Sequence, residues 1–515
     1  MKTFSAASLS SLLGGIRDVL PCALCLLLTS PAILAQGITI VGPVVVGSNA
    51  RQAPELRPMV DLSVLAILRP ASDPSGLLAA HLGKTDSQGF FSVPPGHVVE
   101  QITTELDSDR CQVLRKINTG YPFDAFGPLP VVLDNPAATV DITQMRPALV
   151  WELLGNRGLT VEECSAYYNV RALAERAEQV VHPWFRDSWA VQKISVKFEP
   201  AMQAWGSPAQ MLSNEEEHIL SIFPVNGGSA TTFDGHHAAR SVTVLAHEIG
   251  HAVIRFGGVD GVAPSVHEAI ADYIAFALTG EPRIGFGVLD PLHVFRDLRI
   301  WHRFDSQGPP HQGSLACSGA LYEVSAPYGP IPVLGQQSVI DYLQRALWMG
   351  PNPSESRLLS NLLAVAPATH AQAVLCAFAE RGMLSSSANP PGVSLRGCDI
   401  GRGFVMGGAP APTLSPTYGA SSVRLDVAGA ASSSPCVLAL SALPTQSLAI
   451  PGLPPLLLEP VSLTTAMGGF TSGSGQLSLT LSLPVGLPPS VLSAFVIDAA
   501  GPLGLTVTNG VYIGP

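Results

Sequence analysis

The sequence predicts a multidomain protein in which a central α+β domain lies between N-terminal and C-terminal all-β modules, and three observations carry that prediction. The chain has 515 residues, too many for one ordinary hydrophobic core. Its apolar fraction is 47% against 13% charged, with 49 glycines and 45 prolines. That balance favours folded, turn-rich β structure over long solvated helices or a disordered polar chain. The stretch from about 160 to 400 breaks the texture with helical apolar spacing.

The elements follow in chain order. Lys2 and Arg17 precede the apolar run LPCALCLLLTSPAILA, which ends at Ala35. Residues 1–35 read as a cleaved secretory signal; the competing reading is an uncleaved anchor helix, because the run approaches spanning length. Neither Cys22 nor Cys25 stands in a lipoprotein-type context. The expectation is a secreted protein, extracellular or periplasmic, with no stable membrane insertion after cleavage. Six cysteines then remain, Cys111, Cys164, Cys317, Cys376, Cys398 and Cys436. An even set in an exported chain is compatible with disulfides, and Cys376 with Cys398 is the pair expected.

Residues 36–150 form a β-rich module, marked by alternation in GITIVGPVVVG and by the turn-and-strand stretch TDSQGFFSVPPG. It stands as a module of its own or as part of a propeptide. In residues 160–405, VEECSAYYNVRALAERAEQVV has helical spacing and VQKISVKFEP reads as a strand. Residues 406–515 are punctuated by Pro, Gly and Ser, carry charge only at Arg424, Asp426, Glu459 and Asp498 beyond Gly407, and alternate strictly in QLSLTLSLPVG. This tail reads as a β-sandwich-like module. A net charge of -11 offers no electrostatic footprint for DNA or RNA, which clustered Lys and Arg supply, so nucleic acid is excluded as a partner.

The chemistry concentrates in VLAHEIGHAVIRF, residues 244–256. His247 and His251 are four apart, so on a helix they share one face and can offer ring nitrogens to one tetrahedral metal, with Glu248 beside them as a general base for an attacking water. The competing reading is a core helix with satisfied histidines. A catalytic zinc site needs a third protein ligand and an open position. The metzincin offsets after His251 hold Ile254 and Gly257, so that solution fails. Downstream, SVHEAIADYIAFAL places Glu268 and Asp272 on one helical face. Glu268 is either the third ligand or the acidic member of a capping box with Ser265. His267 and Asp260 are weaker substitute ligands. Asp272 is placed to accept the second ring proton of a ligand histidine, or else lies on a solvated helix face.

HEIGH (247–251) followed by HEAIAD (267–272) resembles the gluzincin metallopeptidases, the thermolysin-like and fungalysin-like enzymes, whose pattern is H-E-x-x-H and then E-x-x-x-D. A third segment agrees: PHQGSLACSGALYEV, residues 310–324, is similar to the family's histidine preceding a small-residue helix. The resemblance covers about 160 to 400. It implies a zincin-type metallopeptidase domain that acts as an endopeptidase on protein or peptide substrates. It further implies Zn2+ held by His247, His251 and Glu268, Glu248 as general base, His311 as transition-state stabiliser and Asp272 as the residue orienting His247. Ca2+ stays open as a second ion, since no D-x-D-x-D-G loop is present and irregular carboxylate sites do not show in spacing. The chain departs from the family in two respects. No tyrosine occurs between Phe256 and Val266, and the G-x-M-E-N element of aminopeptidase relatives is missing, which favours endopeptidase action. HILSIFPVNGGSA is the candidate substrate-binding edge strand, with Asn226 as a backbone clamp, and Asp305 is the candidate partner of His311. The rival class is a non-enzymatic exported binding or adhesion protein that retains a structural or relic metal site, motivated by the low-charge β regions and the missing tyrosine.

Overall fold

The structure is a computed structural model. It describes residues 37–117, 125–148, 158–181, 193–199, 209–213, 218–224, 236–256, 261–302, 304, 309–326, 334–385, 389–396, 398–400, 411–419, 421–442, 464–483, 487–498 and 505–513. The leader expected at 1–35, Asn226, Asp260 and Asp305 lie outside these residues. Several sheets and seven α-helices make the described residues a mixed α/β protein. Among them no helix is long and apolar enough to cross a membrane. The chain separates into two compact units, one of residues 1–45 and 53–168, the other of 46–52 and 169–515.

In the first unit the strand Gly37–Val44 alternates buried and half-buried positions, with Ile38, Ile40 and Val44 facing the core, as the period of a pleated strand requires. It pairs antiparallel with Glu55–Pro58 and Phe90–Ser92 and parallel with Thr139–Asp141. The turn read in TDSQG is built by Asp86, whose Oδ1 accepts from the amides of Gln88 and Phe90. Gly89 closes it with φ 70°, at a point where a Cβ would lie 2.6 Å from Ile40 O, so only glycine fits. A second sheet orders Arg146–Pro147, Val131–Asp134, His97–Thr104, Ser63–Pro70 and Ala79–Lys84. Helix α1, Val161–Val180, starts at a reciprocal cap. Thr160 Oγ1 accepts from Glu163 N at 3.2 Å and Glu163 Oε2 accepts from Thr160 N at 2.9 Å, the capping-box arrangement.

In the second unit the strand His218–Ile222 runs parallel to Ile194–Phe198 and antiparallel to Ala209–Ser213, which stands at the sheet edge. This corrects the sequence expectation for the substrate-binding edge. HILSI has neighbours on both sides and its backbone groups are used, so the edge belongs to AQMLS. Helix α2 spans Val242–Phe256, with the Ser241 hydroxyl 3.4 Å from Val244 N at its start, as an N-cap should be. Helix α3, Pro264–Thr279, has Pro at its first position, Ala263 as N-cap and Gly280 at φ 74° as C-cap. Proline early and left-handed glycine late are the expected punctuation.

Helix α4 spans Pro310–Ser325 and packs on α3 with Tyr322 edge-on to Phe276, ring centroids 4.8 Å apart. Helices α5 (Gln336–Trp348), α6 (Glu355–Val365) and α7 (Ala368–Glu380) follow. The expected Cys376–Cys398 disulfide is present and ties α7 to the stretch before strand Asp399–Ile400. In the C-terminal part a six-stranded and a three-stranded sheet contribute to one buried cluster. Leu414, Val423, Leu425 and Val427 come from the smaller sheet, and Leu438, Leu492, Val496 and Val511 from the larger. Leu477, Leu479 and Leu481 pack against that cluster while the alternate residues face outward, the alternation read from QLSLTLSLPVG.

Candidate metal centre

Two helices build the site. α2 carries His247, Glu248 and His251, and α3 carries His267, Glu268 and Asp272. The helices can approach because position 250 is glycine: a Cβ there would lie 2.9 Å from Ala271 Cα and 3.0 Å from Ala271 O. Ala263, not Ser265, caps α3, and it makes no side-chain cap bond. The capping-box reading of Glu268 therefore fails, because Ser265 already lies inside the first turn. The Glu268 carboxylate instead points at α2.

The geometry is that of a ligand set. His247 Nε2 lies 3.2 Å from Glu268 Oε2 and His251 Nε2 lies 3.4 Å from Glu268 Oε1. Ligands about 2.0–2.1 Å from a tetrahedral zinc stand roughly 3.3–3.4 Å from one another, close to the distance of each histidine nitrogen from its own Glu268 oxygen. Among the described residues His247, His251 and Glu268 are the one group of three or more His, Cys, Asp or Glu whose ligand atoms all come within 4.8 Å of one another. The donor chemistry, two imidazoles and one carboxylate, suits zinc.

The other ring nitrogens are also engaged. His247 Nδ1 is 2.8 Å from Oδ1 of the fully buried Asp272, although by alignment neither Asp272 oxygen completes a hydrogen bond. His251 Nδ1 is 2.7 Å from His267 Nδ1. So both imidazoles turn Nε2 inward to Glu268 and Nδ1 outward to a partner.

Glu248 is buried, and its Oε2 accepts from Met211 N at 2.7 Å, so the edge strand Ala209–Ser213 fixes the carboxylate beside the cluster. Burial pushes its pKa up, against the opposing pull of His247 and the Met211 amide. Burial and the Arg296 charge push the His247 imidazole down, but Asp272 and Glu268 outweigh both and hold its pKa at about 9. Burial would raise the Glu268 carboxyl, yet bonds from His247 and His311 bring it well below the usual carboxylate range. Burial, with His247 adjacent, holds His251 down, and burial lowers His267 to about 4.

Sequence reasoning missed Arg296, which lies on the two-residue strand Arg296–Asp297. Its Nε is 3.1 Å from Asp272 Oδ1, its Nη1 is 3.4 Å from Glu268 Oε2 and 2.9 Å from His311 Nδ1, and its Nη2 is 3.3 Å from His247 Nε2. No motif marks it. The signal that could have pointed to it is charge balance, because two carboxylates on apolar helices need a cation. His311 sits in the first turn of α4, largely exposed, with Nδ1 3.0 Å from Glu268 Oε2. The structure thus brings His247, Glu248, His251, Glu268, Asp272 and His311 together, whereas Asn226 and Asp305 lie outside the described residues. No protein-family model and no curated protein matches the chain.

Proposed function

We propose that this protein is an exported zinc-dependent endopeptidase with a gluzincin-like, zincin-type domain. The observation that supports it most is the convergence of His247 Nε2, His251 Nε2 and the Glu268 carboxylate at 3.2 and 3.4 Å, with Glu248 beside them. A bound zinc ion would supply a Lewis acid and lower the pKa of water toward ~7. His247, His251 and Glu268 would hold it.

The chain's own groups have defined tasks. Glu248 receives the proton of the attacking water and returns it to the leaving amine. Its buried position favours the protonated form more than water would, which suits a group that must both accept and release a proton near neutral pH. The strand Ala209–Ser213, paired to His218–Ile222, holds the Glu248 carboxylate in place through Met211 N. His311, largely exposed beside Glu268, is the group that would offer a ring N–H where a carbonyl oxygen gains charge during attack. Asp272 orients His247.

Hydrolysis of a chromogenic casein by purified protein, abolished by a chelator and by Glu248→Gln, is the expected result. Undiminished turnover in Glu248→Gln would reject the mechanism. One observation favours the rival reading, a non-enzymatic binding protein with a structural or relic metal site: the Arg296 guanidinium stands within 3.4 Å of both His247 Nε2 and Glu268 Oε2, placing a positive charge beside the ligands. Stoichiometric zinc with no turnover on a broad peptide library would decide for it.

A further inference from the structure

We infer that residues 48–51 are a strap that fixes the hairpin bearing Arg296, with Asn49 and Arg51 as positioning residues for that arginine. The strap is independent of which reading of the metal centre is right, because it concerns only where the Arg296 guanidinium stands.

Residues 46–52 belong to the second compact unit, although the chain on both sides of them belongs to the first. What they meet there is the loop 285–295, which joins the strand Arg283–Ile284 to Arg296–Asp297. Those strands pair over only two residues each, too few to hold a register against the loop between them. Four carbonyls of the loop are taken up by the strap. Ala50 N donates to Phe286 O at 3.0 Å and Asn49 Nδ2 to Pro291 O at 3.3 Å. Arg51 donates through Nε to Gly287 O at 3.1 Å and through Nη2 to Leu289 O at 3.0 Å. Two of the donors share one charged, planar guanidinium, which strengthens both bonds and fixes their relative direction.

The fit is specific on both sides. Ala50 is fully buried, and Asn49 Oδ1 accepts from Arg51 N at 2.9 Å, a turn that sets the strap's shape. Position 287 requires glycine, because its φ is 79° and a Cβ there would lie 2.0 Å from Asn49 Oδ1. Ser48 bonds the Glu281 carboxylate, which in turn accepts from Arg283 Nε at 2.8 Å, so the other strand of the hairpin is gripped as well. From this hairpin Arg296 reaches Asp272, Glu268 and His311. Removing residues 36–150 as a propeptide would take the strap away and loosen Arg296, so the contacts favour a retained module.

The test measures how fast phenylglyoxal, which modifies accessible guanidinium groups, reacts with Arg296 in the full chain, read by peptide mass mapping. The Arg296 side chain is 12% exposed and should react slowly in the wild-type protein. Arg51→Ala should speed its modification at least about tenfold by opening the hairpin locally. Arg57→Ala, which removes a neighbouring guanidinium paired with Glu55, should leave the rate unchanged. An Arg296 rate within about twofold of wild type in folded Arg51→Ala would overturn the inference, since a segment that merely packs there would not move that rate. Should Arg51→Ala fail to fold, hydrogen exchange of the wild-type chain decides. The Ala50 amide should exchange within about threefold of those of Gly287 and Phe295, as parts of one locally opening unit do; an Ala50 amide exchanging like an unstructured peptide would overturn the strap. No metal enters either measurement, so failure here leaves the zinc proposal standing, and absence of zinc binding leaves the strap standing.

Discussion

Replacing Gly250 by alanine tests the helix contact on which the whole site depends, and two opposing effects set its outcome. Alanine is the better helix former by about 1 kcal/mol, so at an exposed position of α2 the change would stabilise. At position 250 the new Cβ would meet Ala271 Cα at 2.9 Å and Ala271 O at 3.0 Å. Both are backbone atoms, so no side chain can rotate away. Restoring ordinary contact requires α2 and α3 to part by roughly 0.5–1 Å, and overpacking of that kind costs about 1–3 kcal/mol. The steric term wins over most of that range, and a net loss of up to about 2 kcal/mol is expected from denaturant unfolding.

The functional effect should be larger than the stability effect. Glu268 travels with α3 and the two histidines with α2, and metal–ligand distances tolerate only about 0.2 Å. Zinc affinity should therefore fall at least tenfold in protein that is still folded by circular dichroism. A Gly250→Ala protein at or above wild-type stability, with unchanged zinc affinity, would refute the described approach of the helices.

Three further outcomes follow. On the proposed peptidase mechanism, His311→Ala should lower kcat by about 10²–10³, the effect of removing one oxyanion donor, with zinc content unchanged by metal analysis; a loss of zinc would instead make His311 a ligand. Cys376→Ser, opening the Cys376–Cys398 loop of sequence separation 22, should cost about 3 kcal/mol on the chain-entropy account, seen as a lower urea midpoint that matches the reduced wild-type protein. His218 is fully buried, and burial lowers its pKa from 6.5 to about 4. Because the unfolded chain takes up a proton in that interval and the folded one does not, stability should fall by up to about 3 kcal/mol as pH drops from 6.5 toward 4. His218→Leu should flatten that slope in urea midpoints at pH 7 and 4.5, whatever its effect at neutral pH, and an unchanged slope would be evidence against the assignment.

What the sequence disclosed tracks the range over which local geometry is fixed. Within a helix the periodicity determines which residues share a face, so His247 with His251 and Glu268 with Asp272 were legible from spacing alone. Their meeting across α2 and α3 was one of two readings that spacing left open, singled out by resemblance, since nothing local measures the distance between two helices. The meaning of Gly250 was hidden for the same reason: in a string it is a variable position of HEIGH, and in the fold it is the gap that lets Ala271 in. The edge strand was misplaced because HILSI has the stronger apolar pattern. That pattern marks burial between neighbours, which is the opposite of what an edge needs. AQMLS, less regular, holds the margin and reaches Glu248 through Met211 N.

Arg296 marks the limit of such reading. Burying Glu268 and Asp272 between apolar helices demands a compensating cation, so an arginine near them was deducible in kind. Its identity was not, because Arg255, Arg283, Arg296 and Arg299 all lie within reach along the chain. The fold chooses among them. Arg283 is spent on Glu281 and Arg299 on Asp297, each paired two residues away, and Arg255 projects from an exposed position of α2. Arg296 reaches Asp272, Glu268 and His311 at once because the short strand Arg296–Asp297 is pinned against Arg283–Ile284. The pairing of two irregular segments therefore decides which positive charge the site receives, and no spacing rule encodes a register of two residues.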